Sequence, residues 1–135
     1  MEKNEEDIAK VKTLEMVRGN FETSKKRWTM YDAPGHKDYV ADMIMAAAVA
    51  DYAVLVISAK NDEFEASFEA IIDQIQLVKS LGVNKLVIFV NKIDEPTKDL
   101  QKGRYDTVIE VLKPFLASSG YETYFDCTFI PVKFC

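Results

Sequence analysis

The chain has 135 residues, of which 48% are hydrophobic and 29% are charged, and its formal net charge is −5. This length suits one domain with one core, and the composition argues against intrinsic disorder. The acidic balance argues against broad electrostatic binding to nucleic acid. No apolar run approaches the roughly 20 residues that cross a bilayer, and the charged amino terminus is not a signal peptide. The two cysteines, Cys127 and Cys135, form no CxxC pair, so we expect a reducing, cytoplasmic location.

The first part of the chain is predicted to contain a mobile start, a hairpin and a helix. Residues 1–12 are highly charged, and we expect them to be mobile. Residues 13–22 and 27–31 alternate in pattern with a period of two, which indicates two antiparallel strands. After the Pro34–Gly35 turn, apolar residues recur at three- and four-residue steps through residues 37–50, which indicates an amphipathic helix.

The rest of the chain alternates apolar runs with amphipathic helices. Gly82 is suited to ending the first of these helices, Pro114 would strain the last turn of the second, and residues 95–103 are predicted to be a polar loop. The alternation predicts an α/β fold, a three-layer sandwich around a mostly parallel sheet whose strands are buried on both faces. The predicted strands span residues 52–58, 85–90 and 128–132. The predicted helices span residues 64–81 and 105–116.

The first of two polar turns lies in the stretch WTMYDAPGH, residues 28–36. It leaves the carboxyl end of a predicted strand, which is where α/β sheets bind ligands. A carboxylate such as Asp32 can hold Mg²⁺ through water, and the amide of Gly35 can approach a phosphate closely because glycine has no side chain. His36 could orient an attacking water. The alternative is a Pro-Gly turn in which the aspartate caps the following helix.

The second polar turn ends the stretch LVIFVNKID, residues 86–94. Guanine offers two adjacent donors, a ring N–H and an exocyclic amine, so one carboxylate at Asp94 could accept both and select guanine over adenine. Lys92 could lie along the base plane, and Asn91 could tie neighbouring loops together. The alternative is a polar loop that caps the next helix. Taken alone, the hydroxyl of Thr13 is an ordinary hydroxyl before a strand and only a candidate magnesium ligand.

Longer segments carry a family resemblance from about residue 12 to residue 132. KTLEMVRGNFETSKKRWTMYDAPGHKDYV, ADYAVLVISAKNDEFEASFE, LVIFVNKIDEPT and RYDTVIEVLKPFL resemble the GTPase domain of translational GTPases. The eukaryotic class II peptide-chain release factors are the most similar members. The elongation factor 1-alpha family is the alternative.

The resemblance implies a fold of the P-loop GTPase type and a role in translation termination. It implies GTP or GDP and Mg²⁺ as cofactors, and the ribosome and a class I release factor as partners of the parent protein. It assigns His36 to water orientation and catalysis. The other implied site residues are Thr13 and Asp32 for magnesium, Gly35 for phosphate, and Asn91, Lys92 and Asp94 for guanine.

The chain departs from the family pattern where the phosphates would bind. No GxxxxGK[ST] occurs, so we expect residues 1–135 to form a single but partial GTP-binding domain without the first strand, the P-loop and the first helix. The absent strand would lie between the strands at 27–31 and 52–58, which we therefore expect to pair directly. Because phosphoryl transfer depends on that loop, we expect the chain alone to bind GTP very weakly and not to hydrolyse it.

A second departure concerns the last base-contacting pair of the family, Ser-Gly or Ser-Ala, which falls here on Lys133–Phe134. The stretch Ser58–Ala59–Lys60 has the expected letters but follows the wrong strand, so it is rejected as a base contact. Two hypotheses remain open. The chain is either part of a translation GTPase or a degenerate, non-catalytic relative that serves as an interaction module for a protein or the ribosome.

Overall fold

The computed structural model describes residues 17–32, 40–93 and 95–133. These fall in two compact units, Met1–Val49 and Ala50–Cys135. None of the helices in the described ranges is long and apolar enough to cross a membrane. Residues 1–12, which the sequence predicts to be mobile, lie outside the described residues. The elements are β1 (Val17–Glu22), β2 (Arg27–Asp32), α1 (Val40–Val49), β3 (Tyr52–Ser58), α2 (Asn61–Ser80), β4 (Lys85–Asn91), α3 (Lys98–Ser118), α4 (Thr123–Asp126) and β5 (Cys127–Pro131).

The first unit contains the predicted hairpin, which is confirmed over its described residues. β1 and β2 pair antiparallel along their whole length. One face is polar, and there the hydroxyl of Thr29 donates to the side-chain oxygen of Asn20 at 3.0 Å. On the other face Phe21 stacks on Trp28 with ring centroids 6.1 Å apart. Such cross-strand pairs hold the register of an antiparallel ribbon.

The second unit is built on a parallel sheet in the order β3-β4-β5, which confirms the predicted parallel pairing for these strands. α2 and α3 both pack on one face of this sheet, and the apolar residues of that face form a single core with them. Burial of this core is the main driving force for folding of the unit. Its most deeply buried members, each at most 2% exposed, are Ala59 after β3, Ile75 of α2, Leu86, Ile88 and Val90 of β4, Val108, Leu112 and Leu116 of α3, and Tyr121 after α3.

The opposite face of β3 is open, which corrects the prediction that this strand is buried on both sides. Tyr52, Val54 and Val56 are 46%, 56% and 54% exposed, whereas Ile57 on the packed face is 3% exposed. The reason is that both long helices of the unit lie on the same side of the sheet. A continuous apolar run therefore shows that a strand can be buried on both faces. It does not show that both faces are covered.

The expected direct pairing of residues 27–31 with residues 52–58 is wrong. Among the described strands, β1 and β2 form one sheet and β3, β4 and β5 form another. β2 pairs with the strand that immediately precedes it.

The prediction of a polar loop at residues 95–103 is also wrong for residues 98–103, because α3 begins at Lys98. Thr97 is the N-cap, and its hydroxyl accepts the backbone N–H of Leu100 at 3.2 Å. This bond satisfies one of the unpaired donors of the first helical turn. At the other end, Pro114 lies inside α3, which continues past it to Ser118.

The two long helices of the second unit end in the same way. Gly82 follows α2 with φ +94°, and Gly120 follows α3 with φ +101°. The N–H of Val83 donates to the carbonyl of Val78 at 3.1 Å, and the N–H of Tyr121 does the same to Leu116 at 3.0 Å. This is the Schellman arrangement, and it confirms the predicted role of Gly82.

Candidate functional site

The first predicted turn is described only at its start. β2 ends at Asp32, as the sequence predicts, and this residue is exposed. Thr13, Gly35 and His36 lie outside the described residues. Asp32 belongs to the first unit. Its role as a magnesium ligand stays a prediction.

The second predicted turn begins at the carboxyl end of the central strand of the second unit. β4 ends at Asn91, and Lys92 follows with φ +58°. Within the described ranges Lys92 is the only residue other than glycine with positive φ. A lysine in this conformation costs about 1–3 kcal/mol and persists only where its surroundings hold it. Asp94 lies outside the described residues.

The loop after β3 lies directly beside this turn. Ser58 is the register partner of Asn91, because the two strands run parallel. The N–H of Ala59 then donates to the carbonyl oxygen of Asn91 at 2.7 Å. The ladder between the two strands therefore continues by one bond into the loops that leave them.

The side chain of Lys92 is held by an acidic residue from the first turn of α2. Its Nζ lies 3.1 Å from both carboxylate oxygens of Glu63. The same carboxylate accepts the hydroxyl of Ser58 at 2.6 Å. The hydrogen bond from Ser58, followed by the one from Lys92, lowers the pKa of the Glu63 carboxyl below its ordinary value. Glu63 is thus ionised at neutral pH and forms an ion pair with Lys92.

A helix on the far side braces the same loop. Arg104 of α3 donates from Nε to the carbonyl oxygen of Ala59. Its guanidinium also lies 5.6 Å from the centroid of the Phe64 ring. A cleft of about 260 Å³ opens here, and its lining includes both basic and acidic residues. It is lined by Ala59, Lys60, Asn61, Asp62, Lys92, Glu95 and Arg104.

Sequence reasoning found Asn91 and Lys92 but missed Ser58 and Glu63. The available signal was the position of the Ser58–Ala59–Lys60 stretch after a strand that neighbours β4. That position places the stretch beside Asn91 regardless of its residue types. The partner of Lys92 had no such signal, since Glu63 is 29 residues away in the chain.

The described residues contain no group of three or more His, Cys, Asp or Glu side chains that could hold a metal ion. Mg²⁺ keeps most of its waters and takes only one or two protein carboxylates, so it needs no such cluster. The exposed carboxylate of Asp32 at a strand end fits that requirement.

Comparison with known proteins decides the family. The elongation factor Tu GTP binding domain matches residues 1–133. The chain belongs to this family. The resemblance to translational GTPases read from the sequence is thereby confirmed.

Within the elongation factor Tu GTP binding domain family, the chain is similar to release factor subunits. It is 47% identical over 133 residues to the eukaryotic peptide chain release factor GTP-binding subunit of Dictyostelium discoideum, covering 97% of this chain and 24% of that protein. It is 44% identical over 136 residues to the corresponding subunit of Zygosaccharomyces rouxii, covering 98% and 20%. The chain therefore spans only about a quarter or less of these relatives.

The fold is similar to that of solved members of the family. The crystal structure of Sup35 complexed with GMPPNP matches with a TM-score of 0.65 and 37% identity, over 86% of this chain and 27% of that one. Sup35 complexed with GDP matches with a TM-score of 0.63 and 34% identity, over 85% and 26%. The predicted α/β fold of the GTPase type is confirmed, and the chain corresponds to a part of it.

Proposed function

We propose that this chain is the guanine-reading part of a translation factor of the release factor type, which acts in translation termination. The observation that carries the proposal is the turn after β4, where Asn91 ends the strand and Lys92 is fixed in a left-handed conformation with its side chain engaged. Family membership and the names of the relatives support the same reading.

In this proposal the base is read by the second unit. Asp94 accepts the two donors of guanine, Lys92 lies along the base plane, and Asn91 holds the loop through its carbonyl contact with Ala59. The two adjacent donors distinguish guanine from adenine, so a single carboxylate is enough for specificity.

The residues of the first turn are proposed for magnesium and phosphate. Asp32 and Thr13 would hold Mg²⁺, Gly35 would contact the terminal phosphate, and His36 would orient the attacking water. Magnesium would neutralise charge on the phosphates. Because the sequence holds no GxxxxGK[ST], we expect weak binding and no turnover from the chain by itself.

Equilibrium titration with fluorescent GDP tests the proposal, with unlabelled GDP, ADP and xanthosine diphosphate as competitors. We expect weak binding in which GDP competes better than ADP. The variant Asp94→Asn should lose the preference for GDP and gain one for the xanthosine nucleotide, because an amide matches the carbonyl of xanthine. Asp99→Asn, an equal loss of charge at an exposed position in the first turn of α3, is the control.

Equal competition by GDP and ADP would overturn the proposed guanine site. Saturable micromolar binding would instead contradict the predicted weakness while leaving the site intact. The ribosome and a class I release factor are the proposed partners of the parent protein, with the cytoplasm as the proposed location. Cosedimentation with ribosomes tests the first of these partners.

A further inference from the structure

We propose that Glu63 is the positioning residue of the turn after β4: its carboxylate, held by Ser58, fixes the ammonium of Lys92 and thereby the conformation of the proposed guanine-reading loop. The consequence for nucleotide binding rests on the proposed function. The positioning itself does not, since it concerns contacts within this chain.

The contacts of Glu63 connect the end of β3 with the turn after β4. Lys92 Nζ lies 3.1 Å from each oxygen of Glu63, so the carboxylate is engaged at both atoms. Ser58 donates to one of those oxygens at 2.6 Å and accepts the N–H of Lys60 at 3.2 Å. A carboxylate that accepts three hydrogen bonds from two donor groups, Lys92 and Ser58, has little freedom to rotate.

The ion pair differs from an ordinary surface pair of the same molecule. The side chains of Lys92 and Glu63 are 51% and 38% exposed. Those of Arg27 and Glu22, a pair on the hairpin, are 79% and 67% exposed. Partial burial reduces screening by solvent and salt, so removal of the Lys92–Glu63 pair should have a larger effect than removal of the Arg27–Glu22 pair.

The backbone conformation of Lys92 explains why such a contact is needed. Its φ of +58° is disfavoured for a lysine, and the carbonyl just before it is bonded to Ala59. The turn is therefore held at the backbone by Ala59 and at the side chain by Glu63. Both holding residues come from the segment that follows β3.

This arrangement gives a role to the stretch rejected as a base contact. Ser58 and Ala59 support the turn from the neighbouring strand, and Arg104 fixes the carbonyl of Ala59 from α3. Under the proposed function, these residues support base reading by holding the turn.

Competitive amine labelling of the intact chain, read by peptide mass spectrometry, tests the positioning. In Glu63→Gln the ammonium loses its charged partner, and Lys92 should label about two- to fivefold faster, as expected for a partly exposed ion pair. Glu63→Asp, which keeps the charge, should restore part of the protection. Glu65→Gln, an equal loss of charge at an exposed position of the same helix, should leave Lys92 unchanged.

Two internal measurements separate positioning from general loss of structure. Lys113, which pairs with Glu110 at 3.0 Å on α3, should label at the same rate in every variant. The Ala59 amide should exchange with deuterium faster in Glu63→Gln, and also in Ser58→Ala, which keeps the carboxylate but removes its hydroxyl donor. If Lys92 labels equally in Glu63→Gln and Glu65→Gln, the positioning role is refuted.

The nucleotide measurement is kept separate. Where the wild-type chain binds GDP, Glu63→Gln should weaken GDP binding more than Glu65→Gln does, and equal binding by both variants would refute the role of Glu63 in the site. If the wild type shows no preference for guanine, the proposed function fails. The labelling result then still decides whether Glu63 positions Lys92.

Discussion

The hydroxyl of Tyr121 donates a 2.7 Å hydrogen bond to the carbonyl oxygen of Val83. Each residue directly follows the glycine that ends a long helix, and they are 2% and 1% exposed. The ends of α2 and α3 are thus joined to each other as well as to the sheet. This contact lies at the edge of the unit where β4 and β5 begin, away from Asn91.

Tyr121→Phe should therefore destabilise the chain. The substitution removes the hydroxyl and leaves a buried carbonyl oxygen without that donor, which should lower the free energy of unfolding by about 1–2 kcal/mol. Tyr124→Phe is the matched control, because Tyr124 is 86% exposed and should be neutral. Urea unfolding followed by circular dichroism measures both, and equal stability of the two variants would contradict the expectation.

The same tyrosine predicts a loss of stability in alkali. Burial, with the nearby charges of Cys127 and Asp126, raises the pKa of Tyr121 to about 12 from an ordinary value of 10.0. Since the folded state favours the neutral phenol, its contribution is present below pH 10 and is lost as the pH rises from 10 towards 12. The wild type should lose more unfolding free energy across that interval than Tyr121→Phe does. Parallel curves for the two proteins would argue against it.

Two glycines should respond to the same substitution with opposite signs. Gly82→Ala places a side chain at φ +94° and should cost about 1–2 kcal/mol. Gly103→Ala lies inside α3, where an added Cβ meets nothing within 4 Å, and should stabilise by about 0.5–1 kcal/mol. Thermal unfolding of the pair tests the sign directly. Stabilisation by Gly82→Ala would show that the helix end is not held as described, and destabilisation by Gly103→Ala would contradict the open space at that position.

The open face of β3 should respond to polar substitution without loss of stability. Val54→Thr combined with Val56→Thr keeps the β-branched shape and makes the exposed surface more polar, so binding of an apolar fluorescent dye should fall. Val90→Thr is the contrasting variant, because Val90 is completely buried and its hydroxyl would enter the core. We expect that variant to unfold at lower urea. Undiminished dye binding by the double variant would place the apolar surface elsewhere.

The strands and the helix stop could be predicted because their signals are local. The runs at β3 and β4 are mostly apolar and rich in β-branched residues, and Gly82 lies where only a residue that tolerates positive φ fits. The start of α3 was missed although Thr97 is a good N-cap. The polar residues after it and Gly103 weaken the helical period there.

The other wrong or missed predictions concern which elements and side chains contact one another. A sequence shows that Val54 is apolar, but its burial depends on which side of the sheet receives α2 and α3. In the same way, the NKID letters identify Lys92 as a candidate, while its contact with Glu63 depends on where α2 begins. Both are long-range consequences of topology, and no local pattern encodes them.

Exposed strands such as β3 also bear on the fate of the chain in a cell. Chaperones and proteases act on proteins that show uncovered apolar segments, and Tyr52, Val54 and Val56 form one in the folded state. Recognition of this face should therefore shorten the half-life of the chain, whatever the state of the nucleotide loop.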